Sequence, residues 1–132
     1  KIEGDTISKK YLTKNYCTVS SQYFSPVIKG MHMVYESGTA RGSKIKGLEI
    51  CGKTGTAQNP HGKDHSVFIA FAPKNNPKIS IAVLVENGGY GSTYAAPIAS
   101  LMIEKYLLPD STTTRPDLMK RIMNANLTDL NE

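Results

Sequence analysis

The sequence predicts an α+β fold built on a three-stranded antiparallel meander packed with helices, and three observations carry that expectation. An apolar pattern of helical spacing runs from Val27 to Tyr35. Three strand-like runs, at about 48–57, 66–73 and 79–86, are divided by turn-forming clusters. A second helical pattern at about 93–107 follows the strands, so helices and strands are grouped rather than alternating.

The first helix is expected at about 25–37. Ser25-Pro26 has the form of an N-cap followed by proline at the first helical position. Val27, Ile28, Met31, Val34 and Tyr35 then repeat at helical spacing, and Gly38 supplies the stop. His32 lies within this helix and is expected to be partly exposed. Upstream, residues 1–22 are polar and turn-rich, with one short candidate strand at about 16–19. Downstream, Ser37 to Lys46 is a loop rich in Gly, Ser and cations.

Leu48-Glu49-Ile50-Cys51 alternates as a strand and leads into Gly52-Lys53-Thr54-Gly55-Thr56-Ala57. Asn59-Pro60-His61-Gly62 is a turn cluster, Val67 to Ala72 a nearly all-apolar strand, and Lys74-Asn75-Asn76-Pro77-Lys78 a hairpin turn. Asn87-Gly88-Gly89 ends the third strand. In the second helix Pro97 falls near the first turn, where a missing N–H costs least. Ala95, Ile98, Ala99, Met102 and Tyr106 are its expected apolar face. Residues 1–108 read as one domain portion and 109–132 as a linker, Ser111 to Thr114, with a weaker tail helix opened by Arg115-Pro116-Asp117.

At 132 residues there is room for one domain, which buries roughly two-thirds of its unfolded surface. With 39% hydrophobic and 20% charged residues the composition is neither disordered nor membranous. Its longest apolar stretch, Ile79 to Val85, is too short to span a bilayer. The chain opens at Lys1 in mid-pattern with no leader-like segment, as a piece of a longer protein would. Sixteen basic against eleven acidic residues give +5, and Arg41, Lys44, Lys46 and Lys53 bracket one motif. That grouping favours a local anionic ligand over nucleic acid, because aromatics are not interleaved with arginine as in single-strand binders. The separation of Cys17 and Cys51 does not establish a disulfide. His61 and His65 sit in a polar loop with no third ligand nearby and read as solvated rather than metal-binding.

Gly47-Leu48-Glu49-Ile50-Cys51-Gly52-Lys53-Thr54 matches the phosphate-loop pattern G-x-x-x-x-G-K-[ST] by letter. That loop works when a strand precedes it and a helix follows, so that backbone N–H groups face the phosphates. Here the middle residues themselves alternate like a strand, and Gly55 to Pro60 opens a helix poorly. A nucleotide binder is therefore the secondary reading. In the favoured one Lys53-Thr54-Gly55-Thr56 is a strand, with both hydroxyls on one face and Gly55 between them letting a substrate backbone approach the strand edge. The result is a pocket for a carboxylate beside an extended peptide.

The flanks sharpen this reading. Gly38-Thr39-Ala40, the run Gly47 to Gln58 and the strands His65 to Pro73 and Ile81 to Gly89 together resemble the third-motif region of penicillin-binding proteins. Tyr23 to Met31 upstream and Ala95-Ala96-Pro97-Ile98-Ala99 downstream fit the same family. The resemblance spans about residues 16–107 and is to the carboxy-terminal part of the transpeptidase domain, most like the class B, elongation-type group called penicillin-binding protein 2. It implies a β-lactamase/transpeptidase-like fold, in which two upstream strands pair with the outer side of the third strand here.

The resemblance further implies a serine-type D,D-transpeptidase. Such an enzyme forms an acyl-serine on the peptidoglycan stem peptide, cross-links it to a neighbouring strand, and is trapped by β-lactams. Lys53 would place charge beside the substrate carboxylate, Thr54 and Thr56 would hold it, Gly55 would give room, and the Thr56 backbone N–H would be half of an oxyanion hole. The S-x-x-K and S-x-N motifs are expected upstream of Lys1, Ser25 to Lys29 being one residue too long for the first. The chain alone is accordingly expected to be inactive. No cofactor or metal is implied. The implied partners are stem peptide, β-lactams and a membrane glycosyltransferase, at the periplasmic face of the cytoplasmic membrane. Without its upstream strands, the 79–86 edge is expected to be covered by strand pairing with a second copy or with an upstream fragment, the competing outcome being that the tail helix folds over it. A non-catalytic interaction module that kept the fold is the third reading.

Overall fold

The computed structural model describes residues 8–110 and 115–128. Its regular elements are helix α1 (Phe24–Glu36), strands β1 (Cys51–Ala57), β2 (His65–Ala72) and β3 (Ile79–Val85), and helices α2 (Ala95–Leu107) and α3 (Pro116–Met123). The strands form one antiparallel sheet in the order β1-β2-β3. Gly55 faces Val67 across the first pair, and Phe68 faces Val83 across the second. This is the α+β meander that the turn clusters predict. The linker at 111–114 lies outside the described residues.

Period-two alternation divides the sheet into two faces. Ser66, Phe68, Ala70 and Ala72 are buried on one, beside their register partners Val85, Val83, Ile81 and Ile79. Helix α2 covers this face with small side chains, Ala95, Ala96, Ala99 and Ser100, and with Ile103. The opposite face leaves Ile69 and Leu84 exposed at 49% and 60%. Tyr35 of α1 closes the end of the core, its ring meeting Phe68 edge-on at 5.7 Å and its hydroxyl 3.0 Å from Ser100 Oγ.

Several details depart from the sequence reading. Helix α1 begins at Phe24, because a 3-10 turn at Ser21–Tyr23 already runs into it; Ser25 is therefore inside the first turn and is not its N-cap. Residues 16–19 form no strand and are exposed, having no neighbouring strand to pair with. Strand β1 starts at Cys51 rather than near 48. Its partner β2 ends at Ala72 before Pro73, which has no N–H for a ladder, and Glu49 instead accepts a single bond from the Lys74 N–H at 2.8 Å. The buried face of α2 is also rotated from the expected one, since Met102 and Tyr106 are 54% and 61% exposed. Small residues win the inward positions because they let the helix axis approach the sheet closely.

The tail is tied to the core through charge. Arg115 donates to Glu104 Oε2 at 2.9 Å and to the Ser43 carbonyl at 2.8 Å, with Glu104 almost wholly buried on α2. His32 is not a free surface group either. Its Nδ1 donates to the Ile50 carbonyl at 3.2 Å while Nε2 faces Glu49 and Glu36, pinning α1 to the approach to β1.

Burial pushes the Tyr35 phenol up from 10.0 to about 12. A raised pKa gives a stabilising contribution that is complete below 10 and is lost as pH climbs from 10 through about 12. Replacing Tyr35 by Phe is expected to lower stability at neutral pH by about 1–2 kcal/mol, because the Ser100 hydroxyl loses a partner. It should also blunt the alkaline fall in melting temperature over that window; an identical fall in wild type and variant would remove Tyr35 as its source.

Candidate functional site

Strand β1 lies at a sheet edge among the described residues. In an antiparallel strand the N–H and C=O of one residue point the same way, and alternate residues share that direction. The exposed Lys53 ammonium donates to the Thr54 carbonyl at 2.7 Å, on the side away from β2. By alternation the backbone groups of Thr56 also face this open edge. The side chains of Thr54 and Thr56 fall on the core-side face, opposite Phe68 and Ser66 in register. Both hydroxyls thus share one face, as their spacing requires.

An open cleft of about 360 Å³ lies here. Its floor is Thr54, Gly55 and Thr56; one wall is Thr39, from the loop after α1, and the other is Tyr90, Gly91 and Ser92, from the loop between β3 and α2. Thr39 Oγ1 and Thr54 Oγ1 are 2.9 Å apart, so the first wall is hydrogen-bonded to the floor. The cleft offers hydroxyls and open-edge N–H groups to an anion or carbonyl.

The second wall is seated on the sheet by two devices. A Cβ on Gly91 would stand 2.3 Å from the Val67 carbonyl oxygen and 2.6 Å from that of Gly55, so the loop backbone lies directly on β1 and β2. Beside it the buried Ser66 hydroxyl donates to the Tyr90 carbonyl at 2.8 Å and accepts the Ala95 N–H at 3.1 Å.

Of the residues singled out from sequence, Thr54, Gly55 and Thr56 line the cleft together. Lys53 projects to the other face of β1 and is not part of the lining. The basic cluster around the motif is smaller than its count, because Lys44 is committed to Glu36, and that hydrogen bond holds the Glu36 carboxyl below its ordinary range. Burial pushes the Cys51 thiol up and its Sγ lies 3.6 Å from the Ile28 carbonyl, while Cys17 is exposed, so the two cysteines are free. His65 is not a solvated loop residue: it opens β2, half-buried, and its Nδ1 accepts the Asn87 N–H at 3.0 Å.

Although the S-x-x-K motif is expected upstream of Lys1, one such string does occur by letter within the chain, at Ser43-Lys44-Ile45-Lys46. Ser43 is only 3% exposed, ends a 3-10 turn, and is absent from the cleft lining. The phosphate-loop match also lacks its geometry, since Gly52 to Thr54 lie inside a paired strand and the chain after Ala57 turns into β2 without a helix. Thr39, Tyr90, Gly91 and Ser92 were missed as site residues. The only signal for the last three was the glycine density from Gly88 to Gly91, which reads equally well as a strand end.

Residues 1–104 match the family model described as the penicillin-binding protein transpeptidase domain. Over 90 residues the chain is 40% identical to the peptidoglycan D,D-transpeptidase MrdA of Acinetobacter baumannii, covering 57% of this chain and 13% of that protein. Among solved structures it is similar to Pseudomonas aeruginosa PBP2 in complex with WCK 5153, with TM-score 0.65 and 37% identity over 74% of this chain and 22% of that one. It is likewise similar to penicillin-binding protein A of M. tuberculosis as an imipenem acyl-enzyme complex, with TM-score 0.62 and 36% identity, covering 70% of this chain and 21% of that one. The chain therefore spans less than a quarter of the length of each of these relatives.

Proposed function

The chain belongs to the penicillin-binding protein transpeptidase family, of the PBP2 type, and from that premise we propose that it forms the substrate-carboxylate side of a peptidoglycan D,D-transpeptidase site. The observation that carries this reading is the pairing of the Thr54 and Thr56 hydroxyls with the open-edge N–H groups of β1 in one cleft. A stem peptide laid along that edge would meet backbone donors on β1 and hydroxyls for its terminal carboxylate.

In this reading a serine from outside these 132 residues attacks the penultimate D-alanine carbonyl. The Thr56 N–H stabilises the developing oxyanion, and the C–N bond breaks with its electron pair going to the departing D-alanine amine, which takes a proton. The amine of a neighbouring stem peptide then attacks the acyl-serine, restoring the serine hydroxyl and forming the cross-link. Lys53, exposed at the same edge, contributes charge; its contact with the Thr54 carbonyl is local and solvent-facing, so the ammonium is free to turn toward a bound anion. A β-lactam uses the same cleft and stops at the acyl stage, the state in which the mycobacterial relative holds imipenem. No cofactor enters the scheme.

The same reading places the work outside the cytoplasm, at the periplasmic face of the cytoplasmic membrane, alongside a membrane glycosyltransferase of the elongation machinery. None of the described helices is long and apolar enough to cross a membrane, so anchoring would come from elsewhere in the protein. Strand β3 has an open outer edge among the described residues, and its Ile79 to Val85 run carries no charge or proline to discourage pairing. We therefore assign that edge to pairing with another strand: the remainder of the protein when present, a second copy when the chain is alone.

Two measurements follow. In the intact protein, Lys53→Ala is expected to slow acylation by a fluorescent penicillin by about a hundredfold or more with the fold retained. A rate within about threefold of wild type would take Lys53 out of the site. For the chain alone, light scattering should report a dimer or larger species with the amides of 79–85 protected from exchange. A monomer with those amides exchanging freely would refute the edge assignment.

A further inference from the structure

We propose that Asn59 is a positioning residue for the cleft, setting the wall formed by Tyr90, Gly91 and Ser92 through a side-chain bond to Asn87. The inference rests on the transpeptidase reading of the cleft but concerns residues that do not line it. Asn59 lies two residues beyond β1, in the loop to β2; Asn87 lies two residues beyond β3, at the root of the loop that carries the wall. Their amides meet at 2.9 Å, Asn59 Nδ2 donating to Asn87 Oδ1. One contact thus ties the end of the strand forming the floor to the beginning of the segment forming the wall.

Both partners are held for this contact. The Asn59 N–H donates to Asp64 Oδ1 at 3.1 Å, its Nδ2 also donates to the Lys63 carbonyl at 3.3 Å, and its Oδ1 accepts the His61 N–H at 3.1 Å. Every polar group of the side chain is used, which fixes the rotamer. Asn87 sits at φ +56°, a left-handed conformation that asparagine tolerates better than other non-glycine residues. Its own N–H is taken by His65 Nδ1, and two residues on the Gly89 N–H donates to the Asp64 carbonyl at 2.7 Å. The position of Gly62 covers the amide pair, since a Cβ there would come within 3.2 Å of both Asn59 Nδ2 and Asn87 Oδ1.

From this root the wall follows a short, determined path. Asn87 is fixed by Asn59 and His65, Gly89 by Asp64, Tyr90 by Ser66, and Gly91 by its seat on Gly55. The Gly91 and Ser66 contacts hold the middle and far end; the Asn59 bond holds the near end. Its loss lets the loop pivot about the Ser66 bond, moving Tyr90 relative to Thr54 and Thr56. A shift of that kind impairs reaction geometry without unfolding the core.

The test is a double-mutant cycle in the intact protein, read as the second-order rate of acylation by a fluorescent penicillin. Asn87→Asp keeps an acceptor for Asn59 Nδ2, and in Asn59→Asp the Asn87 amide rotates to donate back across the pair at the loss of the Lys63 bond, so each single variant is expected within about threefold of wild type. The double variant sets two carboxylates against each other and is expected to lose about tenfold or more beyond the product of the singles. Its rate should recover as pH falls and one carboxyl takes a proton. Asp64 and His65 flank the pair in every variant, so the recovery is measured as the difference from wild type. Asn59→Ala, which deletes the donor without adding charge, should slow acylation about tenfold with little change in melting temperature, and decides the case if the double variant does not fold. Rates that multiply, a double variant with no acid recovery, or Asn59→Ala at the wild-type rate would overturn the proposal. A wild-type protein that takes no label would instead overturn the transpeptidase reading itself.

Discussion

The seating of one loop on one sheet determines most of what the molecule presents. Ser66, wholly buried on β2, uses its hydroxyl in both senses, donating to the Tyr90 carbonyl and accepting from Ala95, the first residue of α2. A helix start leaves four N–H groups without partners in the helix. Here Ala95 gives its proton to Ser66, Ala96 to the Gly91 carbonyl and Ile98 to the Tyr94 carbonyl, while Pro97 has none to place. No side chain of the local N-cap residue is needed. The same contacts that begin α2 therefore fix the wall of the cleft, and Gly91 is the residue whose missing side chain permits the arrangement.

From that constraint the core follows. Because α2 is launched from a loop lying on the sheet, its axis runs close to β2 and β3, and only small side chains fit between. Ala95, Ala96, Ala99 and Ser100 fill that interval, with Phe68 and Ile103 supplying bulk. Tyr35 then reaches across from α1 to Ser100 and Phe68, and Arg115 reaches back to Glu104 and Ser43, so α1 and the start of α3 are both fastened to α2. On the face of the sheet away from α2, Cys51 is buried with its Sγ 3.6 Å from the Ile28 carbonyl of α1, while Ile69 and Leu84 stay exposed.

The strands and both main helices were legible because their apolar spacing is strong and their turns carry the expected Gly, Asn and Pro. The motif was legible only through its flanks, since Lys53-Thr54-Gly55 alone is a weak string and the longer run from Gly47 imitates a phosphate loop. What could not be read was tertiary. Nothing near Ser66 in sequence marks it as the partner of residues 24 and 29 positions away. The buried face of α2 is not legible from its large apolar residues, because close approach to the sheet selects Ala95, Ala96, Ala99 and Ser100 and leaves Met102 and Tyr106 exposed. Asn59 and Asn87 each look like an ordinary turn residue, and their pairing appears only once β1 and β3 lie on either side of β2.

The seating of Gly91 is the claim on which the cleft stands, and one substitution reaches it directly. A Cβ at this position would meet backbone oxygens of both Gly55 and Val67, atoms that cannot step aside as a flexible side chain could. In the intact protein, acylation by a labelled penicillin should be measured for Gly91→Ala beside its melting curve. The expected result is a rate lower by about a hundredfold, with cooperative unfolding retained, because the wall lifts from the floor while the α2 core persists. Wild-type acylation in Gly91→Ala would contradict the account, since it would mean that the loop does not need to rest on β1 for the cleft to work.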